Sequence, residues 1–275
     1  MPKINMEAIL KEKDIELMAL NGLIDKLGKT RKPVGIVCNS DDPICVKYAN
    51  LKKKAFESYG FHVDLLETSK GTKYEYSITN RLMVQLPHPN ADEEISYIAY
   101  PTSDIDCLMN TSLARVIDSN GNDGAMLPAT VKAVFEILKH EGRIKKGNRA
   151  VIIGKSKLVG KPLANVLMNN GITVTIFGRD EEDPKEIIRG MIPDIIVLAT
   201  NSPNILDEER LYGLDATLVV DVGSCIDEDG VYCGNYHTHS DLKDILDYPN
   251  YTPVPGGVGP MTIRCLIENH MLSHF

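Results

Sequence analysis

Apolar positions recur at helical spacing from residue 5 to residue 28. Ile15, Met18, Ala19, Leu23, Ile24 and Leu27 supply the apolar face, and Gly28 stops the pattern. Pro33 to Cys38 then reads as a short buried strand. Asn39-Ser40-Asp41-Asp42-Pro43 is turn chemistry, with Asp42 or Asp41 placed to cap a helix that carries Pro43 in its first turn and ends near Tyr59 and Gly60. His62 to Leu66 and Leu82 to Leu86 read as further strands. Strands alternating with helices predict a mostly parallel sheet covered on both faces.

The alternation is cleaner in the middle of the chain. Ala150 to Ile153 is a strand, Gly154-Lys155-Ser156 a turn, and a helix follows to about Asn169. Thr173 to Phe177 is the next strand, and Asp183-Pro184 opens another helix as N-cap and first residue. Asp194 to Ala199 and Thr217 to Val222 complete a βαβαβ series, the dinucleotide-binding pattern. The polar, glycine-rich stretch at residues 117 to 125 suits a linker or hinge loop. Near the C-terminus, Thr252-Pro253-Val254-Pro255-Gly256-Gly257-Val258-Gly259-Pro260-Met261-Thr262 is a loop of dictated shape, because Pro fixes φ and Gly permits positive φ. An apolar helical run from Ile263 to Met271 follows it.

Composition narrows the function. The 275 residues are 43% hydrophobic and 25% charged, with a net charge of −8 that argues against broad nucleic-acid binding. No apolar run is long enough to span a membrane and no signal peptide is evident, so the expected location is the cytoplasm. Six scattered cysteines without a C-x-x-C pair suit free thiols in a reducing compartment. No metal is expected: His237-Thr238-His239 lacks a nearby Cys or Glu partner. His140, His270 and His274 are expected at the surface near helix ends, and the methionines in the core.

Several side chains carry candidate chemistry. The turn Gly154 to Pro162 follows a strand and opens a helix, where free amides and the helix dipole favour a pyrophosphate. After the second strand the chain reads Gly178-Arg179-Asp180-Glu181-Glu182-Asp183. Arg179, with Lys155 in the first turn, favours the 2′-phosphate of NADP, whereas the acids that follow leave NAD open. Tyr48 and Lys52 share one helix face, and a partly desolvated lysine can transfer protons. Gln85 ends an apolar strand ahead of Pro87. Asp106, in the loop Asp104-Ile105-Asp106, can accept two hydrogen bonds from an N–H/NH₂ edge such as that of a pterin.

Together these segments resemble the bifunctional methylenetetrahydrofolate dehydrogenase/methenyltetrahydrofolate cyclohydrolase family over nearly the whole chain. The resemblance rests on Thr252 to Thr262, Val84-Gln85-Leu86-Pro87, Gly154 to Pro162, Asp221-Val222-Gly223 and the Tyr48-x-x-x-Lys52 helix. It implies an α/β fold of two domains. Residues 1–125 would form a folate-binding catalytic domain with residues 250–275 packed back onto it, and residues 126–249 a Rossmann-type NAD(P) domain.

The same resemblance implies Lys52, Tyr48, Gln85 and Asp106 as catalytic residues and Pro255, Gly256, Gly257, Val258, Gly259 and Pro260 as substrate-binding. Gly154, Lys155, Ser156, Val159, Gly160, Pro162, Arg179, Thr130 and Ser224 would bind the cofactor. The partners it implies are tetrahydrofolate derivatives, NADP (NAD possible) and a second copy in a homodimer.

The chain departs from the family pattern at several places. Pro128-Ala129-Thr130-Val131-Lys132-Ala133 replaces a Pro-Cys-Thr-Pro-x-Gly loop, Cys107 a glycine, Ser224-Cys225 an Ile-Asn pair, and His88 a leucine. The stretch Glu67 to Leu82 is too short for the helix that relatives carry there. A hydroxy-acid dehydrogenase of shikimate-like type on the same plan, and a degenerate relative that only binds folate or dinucleotide, remain as alternatives.

Overall fold

Val34–Asn39 (β1), Val63–Thr68 (β2) and Arg81–Val84 (β3) form a parallel three-stranded sheet in the order β2-β1-β3. In this computed structural model the described residues are 3–69, 81–96, 98, 100–178, 184–203, 205–207, 211, 213–214, 217–226, 232–237 and 250–275. The comparison of residues 67 to 82 with relatives therefore falls mostly outside them. Asp42 caps the helix Pro43–Ser58 (α2), accepting from the amides of Ile44 at 2.9 Å and Cys45 at 3.3 Å, with Pro43 in the first turn.

The first helix, Met6–Lys26 (α1), exists as expected but turns a different face inward. Ile15, Met18, Leu23 and Leu27 are 62%, 66%, 41% and 53% exposed, while Met6, Ile9, Lys13, Leu17 and Ile24 are buried. A lysine in the inward stripe hid it from a hydrophobicity pattern. Lys13 is tolerated there because its ammonium meets Glu268 at 2.7 Å and Glu16 at 2.9 Å. Burial alone would favour the neutral amine, but these carboxylates hold the Lys13 pKa above its ordinary value.

Five parallel strands make the second sheet: Arg149–Ile153 (β4), Thr173–Phe177 (β5), Ile195–Leu198 (β6), Leu218–Asp221 (β8) and Asn250–Tyr251 (β12), in the order β12-β8-β6-β4-β5. Numbering follows the chain, so Leu206–Asp207 (β7), Cys225–Ile226 (β9), Tyr232–Cys233 (β10) and Tyr236–His237 (β11) are the short strands between them. Helices Ala129–His140 (α5), Gly160–Asn169 (α6) and Pro184–Met191 (α7) accompany the sheet; Ala91–Ser96 (α3) and Asn110–Val116 (α4) precede them. The strand order reverses between β4 and β6, and ligands of such sheets bind beyond the carboxyl ends of the strands at that point.

The chain divides into two compact units. One comprises residues 12–115, 126–129 and 263–275; the other residues 1–11, 116–125 and 130–262. The last helix, Val258–Leu272 (α8), begins ahead of the apolar run expected from Ile263, so Val258, Gly259 and Pro260 are its first turn rather than loop. Proline is compatible with a helix's first turn, which is why the breaker composition hid this start. His270 is fully buried, not at the surface, with its ring 4.5 Å from Phe61 and 5.5 Å from Phe56. A histidine near a helix end looks like surface chemistry in sequence, but this one faces two phenylalanines.

Candidate active site

α2 presents Cys45, Tyr48, Ala49, Lys52 and Phe56 along one side, and Cys45, Ala49 and Phe56 are buried. Tyr48 and Lys52 lie between them in sequence and are partly buried. Burial lowers the Lys52 pKa, opposed by the charges of Asp106 and Cys45. Burial likewise raises Asp106, opposed by Lys52 and by the Ala129 amide, which donates to Oδ1 at 3.2 Å. The structure thus brings Lys52 and Asp106 into one electrostatic unit, while both keep some solvent access.

The two acids of Asp104-Ile105-Asp106 have separate tasks. Asp104 is fully buried and accepts from the amides of Leu108 at 2.9 Å and Met109 at 2.8 Å and from the Ser112 hydroxyl at 2.6 Å. It ties down the start of α4. Cys107 follows with φ of 52°, the left-handed region that favours glycine, which explains why a glycine suits this position in the family pattern. Its thiol donates to the Met126 carbonyl at 3.3 Å.

Asn269 is a site residue that sequence reasoning missed. It is fully buried on α8, and its Nδ2 donates to the Ile105 carbonyl at 3.0 Å and the Leu127 carbonyl at 2.8 Å. It therefore clamps the loop that carries Asp106 to the segment that supplies the Ala129 amide. A polar residue interrupting the apolar run Ile263 to Met271 was the available signal.

Gln85 leaves β3 with its amide on the Val37 carbonyl at 2.8 Å, and its Nε2 donates to the Leu86 carbonyl at 2.7 Å. Its Oε1 is buried and has no hydrogen-bond partner among the described residues. The Leu86–Pro87 peptide is cis. His88 stands just beyond. Its Nδ1 accepts the Asn90 amide at 3.2 Å, so Nε2 carries the proton and donates to Thr68 Oγ1 at 2.6 Å. The histidine at this family leucine position thus fastens the end of β2.

In the other unit, Gly154 has φ of 121°, and a Cβ there would come within 2.1 Å of the Ala199 carbonyl oxygen. A Cβ on Gly160 would lie 1.7 Å from the Gly154 carbonyl oxygen. Both positions admit glycine alone, and they bring the turn after β4 against the end of β6, at the strand-order reversal. The helix-head amides are not free as expected. Val159 and Gly160 donate to Ser156 Oγ at 3.2 and 3.4 Å, Lys161 donates to the Ser156 carbonyl at 3.1 Å, and Pro162 has no amide proton. Ser156 caps the helix that Val159 cannot cap through its own side chain. With its oxygen accepting two amides, the Ser156 hydroxyl proton has no acceptor among the described residues. Ser156 and Lys155 are exposed. A glycine-lined approach, the dipole of α6 and these two donors fit a dinucleotide phosphate.

Residues 129–133, expected as part of a loop, are the first turn of α5, and Thr130 is partly buried there. Ser224 is exposed and its Oγ accepts from the Tyr232 hydroxyl at 3.1 Å. Asp221 is buried, accepting from the amides of Gly223 and Tyr236 at 2.8 Å each, so the Asp221-Val222-Gly223 motif shapes the end of β8. In the C-terminal loop the Val254–Pro255 peptide is cis and Gly256 has φ of 101°, while a Cβ on Gly257 would meet the Pro253 carbonyl oxygen at 2.4 Å. Arg179 and the acids after it lie outside the described residues, as does His239. Among the described residues no group of three or more metal-ligating side chains occurs.

Residues 128–274 match the family described as "Tetrahydrofolate dehydrogenase/cyclohydrolase, NAD(P)-binding domain". The bifunctional protein FolD of Lactobacillus acidophilus is 32% identical over 249 residues, covering 83% of this chain and 81% of the relative. That of Bacillus mycoides is 30% identical over 280 residues, covering 97% and 91%. Among solved structures, the Campylobacter jejuni FolD methylenetetrahydrofolate dehydrogenase/cyclohydrolase superposes with a TM-score of 0.84 at 27% identity, covering 99% of this chain and 98% of that one. The Trypanosoma brucei enzyme, complexed with NADP cofactor and inhibitor, gives 0.83 at 27% identity, covering 100% and 98%. These matches run through both units and set aside the hydroxy-acid dehydrogenase alternative: the chain belongs to the bifunctional methylenetetrahydrofolate dehydrogenase/cyclohydrolase family.

Proposed function

We propose that this chain oxidises 5,10-methylenetetrahydrofolate to the 5,10-methenyl form with NADP and hydrolyses that product to 10-formyltetrahydrofolate. The observation that carries the reading is the Lys52–Asp106 unit, a lysine whose proton affinity is lowered by burial beside a carboxylate, on a helix face shared with Tyr48. Bound NADP supplies the hydride acceptor for the bridging carbon. Gly154, Gly160, Lys155, Ser156 and the head of α6 hold its phosphates, with Val159, Pro162, Thr130, Ser224 and Arg179 as further cofactor contacts.

Loss of hydride leaves an amidinium carbon that water can attack. Lys52, its proton affinity lowered by burial, takes a proton from that water and returns it to the nitrogen that departs. The unpartnered Oε1 of Gln85 accepts an N–H, from Lys52 or from the substrate, and orients it. Tyr48 packs on the substrate, Asp106 accepts from the pterin edge, and Pro255 to Pro260 line the folate. Asn269 acts through Asp106 as a positioning residue.

Replacing Lys52 by Met tests the assignment. Hydrolysis should fall by at least about a hundredfold, the usual weight of a general acid–base, while folate and dinucleotide still bind. Full hydrolysis by the variant would remove Lys52 from this role. A homodimer is proposed, to be checked by light scattering on the purified protein. A cytoplasmic location is also proposed; no helix among the described residues is long and apolar enough to cross a membrane.

A further inference from the structure

β9 and β10 pair antiparallel, and their register sets Cys225 directly opposite Cys233. Residues opposed in this way have Cα atoms about 4.5–5.5 Å apart, inside the roughly 4.4–6.8 Å range that a disulfide spans. Both thiols are free. Cys225 is buried, donating to the Gly234 carbonyl at 3.6 Å and accepting from Asn235 Nδ2 at 3.6 Å, whereas Cys233 is partly exposed. Burial, with Cys233 beside it, pushes the Cys225 thiol up to about 11, so Cys233 is the sulfur that an outside reagent meets first.

The neighbours of this pair connect it to the end of the larger sheet. Asn235 is fully buried; its Oδ1 accepts the Thr200 amide at 3.1 Å and its Nδ2 donates to the carbonyls of Thr200 at 3.3 Å and Ser202 at 2.6 Å. Its side chain also fills the space where a Cβ on Gly223 would come within 2.4 Å. One carboxamide therefore holds together the segment after β6 and the segment after β8, and Cys225 is one of its contacts. On the adjacent residues the Tyr232 hydroxyl donates to Ser224.

We propose that Cys225 and Cys233 form a reversible cross-strand disulfide by exchange with a low-molecular-weight disulfide, and that the bond weakens dinucleotide binding. In the first step the Cys233 sulfur, losing its proton to solvent, attacks one sulfur of the small disulfide and forms a mixed disulfide, releasing one small thiol. In the second, the Cys225 sulfur loses its proton and attacks the Cys233 sulfur, closing the protein disulfide and releasing the other small thiol. Two protein thiols are oxidised by two electrons and one small disulfide is reduced to two thiols. The new bond ends the Cys225 donation to Gly234, shifts Asn235, and draws on the Ser224–Tyr232 contact. The disulfide itself does not depend on the proposed activity; its effect on binding rests on the cofactor reading.

The test treats the whole protein with oxidised glutathione, blocks remaining thiols, and maps a non-reduced digest by mass spectrometry, with NADP titrated by calorimetry before and after. The expected result is one cross-linked peptide pair joining residues 225 and 233, the other four cysteines blocked, and an NADP dissociation constant raised about tenfold and restored by dithiothreitol. Cys225→Ala should trap a glutathione adduct on Cys233; Cys233→Ala, which leaves the Cys225 contacts to Gly234 and Asn235 in place, should form neither product at this strand pair and keep full NADP affinity before and after treatment. Recovery of Cys225 and Cys233 as blocked free thiols, or their linkage to other cysteines, would overturn the site. A cross-link with unchanged NADP affinity would overturn the coupling to the cofactor.

Discussion

The amide of Ala129 donates to Oδ1 of Asp106 at 3.2 Å, fixing that carboxylate at the head of α5 while its charge acts on Lys52. An anion beside Lys52 favours the ammonium, whereas burial favours the neutral amine. If hydrolysis uses the amine, its rate falls as pH drops through the lowered lysine pKa. Asp106→Asn removes the anion, lowers the lysine pKa further, and should move that acid limb to lower pH. A pH–rate profile of methenyltetrahydrofolate hydrolysis at saturating substrate checks this. A limb that stays in place or moves to higher pH would show that Asp106 does not tune Lys52.

Asn269 offers a second test, because its loss leaves two carbonyls without their buried donor. Asn269→Leu should cost about 2–6 kcal/mol, from roughly 1–3 kcal/mol for each of the two unsatisfied carbonyls. Urea unfolding measures that loss. The folate KM should rise more than kcat falls, since the residue positions Asp106 rather than touching the reaction. A stable variant with unaltered KM would remove Asn269 from the site.

Much of this was legible in the chain, and the failures have physical causes. Alternating strands and helices, the Asp42–Pro43 cap and the Gly154–Gly160 turn follow local rules of backbone and capping. The inward face of α1 does not, because the stripe contains Lys13 and its partner Glu268 lies 255 positions away. Nor could spacing separate Asp104 from Asp106, since three donors supplied by Leu108, Met109 and Ser112 make the first structural. Asn269 left only a polar interruption of an apolar run as its signal, because its two acceptors are backbone carbonyls, which carry no sequence signature.

At the turn after β4, Gly160→Ala places a methyl where the Gly154 carbonyl oxygen now sits. NADP binding should fall at least a hundredfold by calorimetry, while hydrolysis of supplied methenyltetrahydrofolate continues, because Lys52 belongs to the other unit. Loss of both activities in a folded variant would contradict this division of labour.

His270 sets an acid limit on stability. Burial lowers its pKa from 6.5 to about 3, helped by His274 and Arg81 nearby. The unfolded chain therefore takes up a proton, below about pH 6.5, that the folded chain refuses. Stability is complete above that pH and declines towards pH 3, by up to about 1.4 kcal/mol per pH unit. His270→Phe, which keeps an aromatic ring against Phe56 and Phe61, should make the decline shallower. The slope that remains reflects His274, whose pKa burial also lowers, and other acid-sensitive groups. Denaturant unfolding between pH 4 and 7 measures it, and identical slopes in the two proteins would discharge His270 from this role.

Mixing the purified protein with 5,10-methylenetetrahydrofolate and NADP and following the methenyl absorbance tests both activities at once. This absorbance should rise with NADP reduction and then decay as 10-formyltetrahydrofolate accumulates; with Lys52→Met, any methenyl product formed should persist. No methenyl product with either NADP or NAD, from protein shown to be folded, would contradict the proposed function.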